Sequence, residues 1–326
     1  MTLVLSPEDV FAATDIPKMI DAIENGIREQ ATDSVEMPPR LNIPTSSGFF
    51  RIMPAVMKAS GVMGLKVFNG SVEHGVRYVI AIYDEVKGDL LTLLDAAYLT
   101  GARTGATTGI ATKYLARENS QSVGVIGSGL EGRTNLAAVC AVRDISRAKV
   151  FSPNPNNRKR FADEMSASLN FEIRAVSTPE EAVSGTDIVV VATNTTGHGD
   201  LIAYKGEWME SGQHINSIGA TGGKLREINP ECFSRANQIG VDSEFQVKTE
   251  SGDAIAAVET GVWDSKKIEE LTSLVTKPFN RENGHITLFK SVGTAVQDVM
   301  SGYAVYQEAK RRGLGKEINF LEHKLF

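Results

Sequence analysis

The sequence predicts an α/β protein in two parts, a mixed α+β region followed by a parallel sheet with helices on both faces, and three observations support this. After Asn119, short apolar runs alternate strictly with helical stretches. One of those runs, Ser122 to Ile126, ends on Gly127, Gly129 and Gly132 in the spacing GxGxxG. Before that point, runs of branched and aromatic residues are instead separated from one another by Gly, Ser and Pro.

Each element follows from a local signal. Ser6-Pro-Glu-Asp9 predicts a capped helix start, and Thr14-Asp15 before Pro17 opens a second helix to about Glu29. Strands are expected at Arg40 to Pro44, Gly48 to Val56, Gly61 to Phe68 and Arg77 to Tyr83. Lys87-Gly88-Asp89 turns the chain into Leu90 to Leu94, and Asp95 caps a long helix, Ala96 to Ala116, rich in small residues that allow close packing. The alternating part then runs strand Val123 to Ile126, helix Gly132 to Val142, strand Ala148 to Phe151, helix Asn157 to Ser166, strand Glu172 to Val176, helix Pro179 to Ser184 and strand Asp187 to Thr193. Apolar strands such as Ile188 to Val191 fit burial on both faces. Further strands are expected at His214 to Ile218, Gln238 to Val241 and His285 to Phe289, with a last helix from Thr294 to about Arg311. The strand-like tail Ile318-Asn-Phe-Leu321 returns to the first region, so the expected domains are 1–118 with 300–326, and 119–299.

Composition narrows the function. The 326 residues, 42% hydrophobic and 23% charged, are globular and long enough for about two domains. A net charge of -6 argues against nucleic acid as the main partner, and Arg158-Lys-Arg160 and Lys310-Arg-Arg312 are too short to change that. With only Cys140 and Cys232, neither a disulfide framework nor a cysteine metal site is expected, which fits a reducing cytoplasm. The start of the chain lacks a signal-peptide pattern and no apolar run approaches the ~20 residues of a membrane span. No histidine pair has metal-ligand spacing, so no metal is expected.

The glycine motif reads as the strand, tight turn and helix start that hold a dinucleotide pyrophosphate. Gly127 permits the turn, Gly129 lets the backbone approach the phosphates, and Gly132 lets the helix pack on its strand, with Ser128, Leu130 and Glu131 completing the loop. The amides and positive end of the following helix face the anion. A site for NAD usually carries Asp or Glu at the end of the second strand, gripping the ribose 2'-hydroxyl. Here Ser152 stands at that point, followed by Asn154, Asn157 and Arg158, which favours NADP and leaves NAD possible. Arg158 equally fits a solvated helix start.

Outside this half, cations stand in apolar settings: Lys66 within Met63 to Phe68, Arg51 within Phe49 to Met53, and Arg103 among small helical residues. A buried charge costs several kcal/mol unless paired, so each needs a partner, either a structural ion pair, a stem lying along the core, or a ligand. Three such cations, with Arg40, beside a nicotinamide site favour a carboxylate-bearing substrate, because arginine forks match carboxylates. Burial and neighbouring arginines both pull the Lys66 pKa down from ~10.4 toward the range useful in acid-base work, and a carboxylate neighbour would oppose them.

Together these residues resemble the ornithine cyclodeaminase and mu-crystallin family, which includes archaeal-type alanine dehydrogenases and ketimine reductases. The resemblance spans the chain and rests on Pro39-Arg40, Arg51-Ile-Met-Pro54, Gly64-Leu-Lys-Val67, Ala102-Arg-Thr-Gly105 with Lys113 to Ala116, the glycine loop, His214 to Ala220, and Thr287 to Gly293 with Gln297-Asp298. It implies a dimer-forming substrate domain joined to a Rossmann domain, with substrate between them. It also implies that Lys66 is the catalytic lysine and that Arg51 and Arg103, with Arg40, bind a substrate carboxylate. Thr104, Ala192, Thr193, Asn194, Ile218 and Gly219 would line the cofactor crevice, and Ser291, Val292 and Gly293 would lie near the nicotinamide. Asp298 reads as a helix-start charge. Cyclodeaminases, and many alanine dehydrogenases, of that family carry Gly-Gly-Asp or Gly-Ala-Asp after the Asn-x-x-Gly strand, where this sequence has Gly219-Ala220-Thr221. Thr221 is similar to the mu-crystallin and ketimine reductase pattern and can hydrogen-bond an imine or water.

The expected function is therefore an NAD(P)H-dependent imine reductase or amino acid dehydrogenase acting on a small α-imino or α-amino acid, working as a homodimer. The alternatives are an ornithine cyclodeaminase, and a mu-crystallin-like protein that binds NADP and a small ligand. The segment Asn69 to His74 is expected to shape the substrate pocket, although Glu73 and His74 equally fit a solvated loop.

Overall fold

The computed structural model describes residues 1–71, 73–193, 202–277 and 279–319. The chain opens with β1 (Thr2–Leu5), α1 (Pro7–Ala13), α2 (Ile16–Gln30), β2 (Val35–Glu36), β3 (Leu41–Pro44), β4 (Gly48–Met57), β5 (Val62–Ser71), β6 (Gly75–Asp84), β7 (Leu90–Asp95) and α3 (Ala97–Leu115). There follow β8 (Ser122–Ile126), α4 (Leu130–Val142), β9 (Arg147–Phe151), α5 (Pro155–Leu169), β10 (Ile173–Ala175), α6 (Pro179–Val183), β11 (Ile188–Val191) and β12 (His214–Ser217). The rest comprises α7 (Glu231–Arg235), β13 (Gln238–Val241), α8 (Glu244–Glu250), α9 (Gly252–Glu259), β14 (Ile268–Glu270), α10 (Leu271–Thr276), β15 (Thr287–Lys290), α11 (Ala295–Arg312) and β16 (Lys316–Ile318). Two compact units result, Met1–Arg103 with the segment from Thr294 onward, and Thr104–Gly293.

In the first unit the strands lie in the order β16-β1-β7-β6-β5-β4-β2, with β3 also on β4. Long hairpins dictate this order: β4 and β5 pair from Gly48↔Ser71 to Met57↔Val62, and β5 and β6 from Val62↔Asp84 to Ser71↔Gly75. Alternation along the pleat sends Met53, Ala55 and Met57 of β4 and Val62, Gly64, Lys66 and Phe68 of β5 into the interior. Helix α11 lies on β4, β5 and β6, and packs against α2. Ser6 and Asp9 form the reciprocal capping box that starts α1, and Asp15 caps α2 through the Lys18 amide. Strand β1, which the sequence reading did not anticipate, is set by partners far along the chain: it runs parallel to β7 and antiparallel to β16. Ile318 of the expected tail pairs with Thr2, whereas Phe320 and Leu321 lie outside the described residues.

In the second unit every strand pairing is parallel, in the order β10-β9-β8-β11-β12-β15-β13-β14. Strands β8, β11, β12, β13 and β15 are buried along their whole length, as apolar strands covered on both faces must be. The chain moves from β8 outward to β9 and β10, then returns to place β11 on the other side of β8. That reversal makes the carboxyl ends of β8 and β11 the switch point of the sheet, the place where ligands of such sheets bind. Helices α4 and α5 begin two residues earlier than expected, because Gly129 and Asn154 are the residues before their first turns.

Helix α3 has no glycine stop. Its last carbonyls are taken by arginines: Arg143 Nη2 donates to Thr112 O, Lys113 O and Ala116 O at 2.9, 2.9 and 3.0 Å, and Arg143 Nε to Arg117 O at 2.9 Å. Among the described residues no helix is long and apolar enough to cross a membrane.

Candidate functional site

In the first unit the site is built around Lys66, which is 1% exposed. It stands opposite Met53, two pairs along from Phe68 and its partner Arg51, so Lys66, Phe68 and Arg51 share the inward face. Lys66 Nζ donates to Asp298 Oδ1 at 2.7 Å and lies 5.2 Å from the centre of the Phe68 ring. Arg103 Nε reaches the same Asp298 oxygen at 2.9 Å, while Arg103 Nη1 donates to Gln297 Oε1 at 3.0 Å.

Asp298 therefore corrects the reading of a helix-start charge. It does lie in the first turn of α11, but it is completely buried and holds two cations through one oxygen. Its Oδ2 is also buried and has no hydrogen-bond partner among the described residues. Burial pulls the Lys66 pKa down most strongly, Asp298 opposes it, and Arg103 and Arg40 add to the fall, leaving Lys66 at about 7. A lysine in that range exchanges protons readily near neutrality.

Arg51 is half-buried on β4. Its Nε donates to Asn42 Oδ1 at 2.8 Å, and its guanidinium sits 4.5 Å from the Phe49 ring centre and 5.6 Å from that of Phe68. These aromatic faces orient the fork without neutralising it. Arg40, just before β3, is half-buried and acts on Lys66 through charge. Asn69, Gly70, Ser71 and His74 line an open groove of about 720 Å³ together with Phe49 and Phe50. Glu73 and His74 are solvent-exposed, 3.8 Å apart.

In the second unit the glycine loop caps β8. Gly127 has φ +114°, and a Cβ there would stand 2.2 Å from Ala192 O, so only glycine fits. A Cβ on Gly132 would fall 2.3 Å from Gly127 O. One on Gly129 meets nothing within 4 Å, and no side chain caps the first amides of α4. This open cradle, with no side-chain cap among the described residues, fits a pyrophosphate. Leu130 is 40% exposed at its rim, and the Glu131 carbonyl accepts from Asn135 Nδ2 at 2.7 Å.

At the end of β9 no carboxylate is present. Ser128 Oγ donates to Ser152 Oγ at 2.8 Å, and Arg158 Nη1 donates to Ser152 O at 3.0 Å with its guanidinium near the Phe151 ring. Arg158 is thus anchored beside Ser152 rather than simply solvated. Asn154 uses its Oδ1 to cap α5 through the amides of Asn156 and Asn157.

The other expected cofactor residues fall at strand ends. Ala192 and Thr193 follow β11, and Ile218 and Gly219 follow β12. Asn194 lies outside the described residues. The turn of Ser291, Val292 and Gly293 is pinned by buried Asp242, whose Oδ2 accepts from Ser291 Oγ and the Gly293 amide, both at 2.6 Å. Thr104 is buried in α3 and Thr221 is half-buried beyond β12.

Sequence reasoning missed the buried acids that organise both halves: Asp298, Asp242, and Glu227 and Asp253 around Lys290. Asp298 and Lys290 stood inside quoted motifs, which was the available signal. Among the described residues no group of His, Cys, Asp and Glu is placed to hold a metal ion.

Known proteins resemble the chain over nearly its whole length. Alanine dehydrogenase of Archaeoglobus fulgidus is 34% identical over 98% of both chains. The structure of Thermococcus litoralis Delta(1)-pyrroline-2-carboxylate reductase in complex with NADH and L-proline is 36% identical, with a TM-score of 0.91, over 97% of this chain and 100% of that one. An archaeal alanine dehydrogenase dimer with bound NAD is 31% identical, with a TM-score of 0.89, over 98% and 99%. Residues 1–313 match the family pattern itself, and the chain belongs to the ornithine cyclodeaminase/mu-crystallin family.

Proposed function

We propose that the protein is an NAD(P)H-dependent imine reductase or amino acid dehydrogenase acting on a small α-imino or α-amino acid. One observation carries this reading: a fully buried lysine with a pKa of about 7 shares a carboxylate with an arginine, in a chain whose relatives are such oxidoreductases. When bound at the glycine loop, the nicotinamide cofactor supplies or accepts the hydride exchanged with the substrate α-carbon.

The chain's own residues do the rest. Arg51, Arg103 and Arg40 hold the substrate carboxylate, the aromatic rings beside Arg51 keeping its fork in one orientation. Lys66 Nζ gives a proton toward the imine nitrogen during reduction and takes one back in the reverse direction. Asp298 Oδ1 fixes Nζ in place and keeps enough positive charge on it for that exchange.

Ser152, with Arg158 anchored beside it, supports a preference for NADP, since no carboxylate repels a 2'-phosphate there. A homodimer is supported by apolar side chains exposed on the first unit, Leu41 at 53%, Ile43 at 41% and Val79 at 48%. Free Cys140 and Cys232 support a reducing, cytoplasmic setting. Thr221 lacks the carboxylate that would hold an ammonium, which disfavours cyclodeamination.

The test is a panel of α-keto acids with ammonia or methylamine, together with cyclic imines including Δ1-pyrroline-2-carboxylate, each with NADH and NADPH. Cofactor oxidation tied to amine product is expected. Tight cofactor binding without turnover of any panel member, or conversion of ornithine to proline and ammonia without net cofactor change, would overturn the proposal.

A further inference from the structure

Beneath the ends of β11 and β12 lies a group of three charges with no exposure at all, Glu227, Asp253 and Lys290. Lys290 Nζ is 2.8 Å from Asp253 Oδ2 and 3.7 Å from Glu227 Oε1, and donates to Ser217 Oγ at 3.0 Å. Asp253 Oδ1 accepts from the backbone amides of Glu227 and Ile228 at 2.8 and 3.1 Å, which fixes the segment carrying Glu227. Glu227 then spends both oxygens on the strand ends. Its Oε2 accepts from the Thr193 amide and hydroxyl at 3.0 and 2.9 Å, and its Oε1 from the Gly219 amide and Ser217 hydroxyl, both at 2.8 Å.

A scaffold does not need this arrangement. Two carboxylates and one ammonium, fully desolvated, cost more than an apolar core of the same shape. Burial and neighbouring Asp253 drive the Glu227 pKa up, while Lys290 and the hydrogen bonds from Thr193 and Ser217 oppose the rise. Their hydrogen bonds converge on two backbone segments, at Thr193 and Gly219. A Cβ on Gly219 would meet Thr193 N and O at 2.4 Å and Glu227 Oε2 at 2.5 Å, so the two segments and the carboxylate are in direct contact.

We propose that Glu227, held by Lys290 and Asp253, is a positioning residue that sets the spacing of the Thr193 and Gly219 segments for the nicotinamide end of the cofactor. This rests on the reading that those segments line the cofactor crevice. Glu227 acts through the backbone it binds and does not touch the reacting atoms. Its contribution is specific to the nicotinamide, because the adenosine and pyrophosphate are served by the glycine loop and Ser152.

The matched probes are NADH and ADP-ribose, which lacks only the nicotinamide, and NADPH with 2'-phospho-ADP-ribose as a second pair. In Glu227→Gln, one oxygen that accepts from Thr193 or Gly219 becomes a donor facing a donor. The expected result is about a tenfold loss in affinity for the reduced cofactor, with ADP-ribose within twofold of the wild-type protein. Ser217→Ala removes the hydroxyl that donates to Glu227 and accepts from Lys290 but keeps the carboxylate, and is the milder variant, expected to lose about threefold for NADH alone. Equal losses for both probes, or no loss for either, would overturn the proposal. So would a wild-type protein that binds NADH no more tightly than ADP-ribose. Normal NADH binding with this selective loss, but no turnover on any imine, would leave the positioning role standing and overturn only the proposed reaction.

Discussion

Replacing Asp298 by asparagine keeps the shape of the first unit's charge cluster and removes the carboxylate that contacts Lys66. At 2.7 Å and an effective dielectric of about 20, the lost attraction is about 6 kcal/mol. The amide dipole and local rearrangement restore part of it, so about 3 kcal/mol, or about two pKa units, is a working figure. The sign is downward: Lys66 at about 7 loses the group that favours its charged form and moves toward about 5. At pH 8 the protonated fraction falls about 100-fold, and imine reduction, which needs that proton, falls with it. At pH 5 the variant and wild-type proteins approach each other to within a few-fold. The assay is kcat/KM for reduction from pH 5 to pH 9, run well below the thermal midpoint of both proteins. A variant whose activity still declines with a midpoint near pH 7, or one depressed equally at every pH, would refute the assignment of Lys66 and Asp298 as a coupled pair.

The two loop glycines separate folding from binding. Gly127→Ala forces a left-handed φ and a backbone clash, and should cost at least about 3 kcal/mol in chemical unfolding. Gly129→Ala meets nothing, so stability should be unchanged while NADPH affinity falls tenfold or more by titration. Ser152→Asp places a carboxylate at the end of β9 and should weaken NADPH by about 100-fold, equivalent to about 3 kcal/mol, while leaving NADH within a few-fold. Arg143→Ala strips the partners from the last carbonyls of α3 and should lower unfolding free energy by about 2–4 kcal/mol without altering cofactor affinity. An unchanged urea midpoint would discount that cap.

The second unit was the more legible half, for a physical reason. A strand buried on both faces must be apolar throughout, and Ile188 to Val191 can be little else. Gly127 and Gly132 are likewise fixed by short-range geometry that a sequence displays. What escaped reading were the long-range partners. Strand β1 is four residues long and gains its meaning from Thr92 and Glu317, which flank Leu3 in the sheet. Asp298 had a sufficient local explanation at a helix start, and nothing nearby in sequence pointed to a lysine 232 residues earlier. Glu227 and Asp253 lie among short helices with little periodicity, where buried charge is set by packing rather than pattern. Lys66 was legible because a cation inside an alternating apolar strand violates the pattern around it.

The pairing of β1 with β16 gives the protein a temporal order during synthesis. Residues 2–5 are made about three hundred residues before one of their two neighbours in the sheet, residues 316–318. The parallel sheet, encoded by residues 104–293, is complete while that edge is still waiting. Lys66 waits as well, since α11 brings Asp298 only after that sheet has been made. A nascent chain stopped at residue 293 carries the whole glycine loop but no counter-charge for its lysine. In this protein the ion pair of Lys66 and Asp298 is completed only after the parallel sheet has been made, so possession of Asp298 marks a chain that has been read past the whole of the second unit.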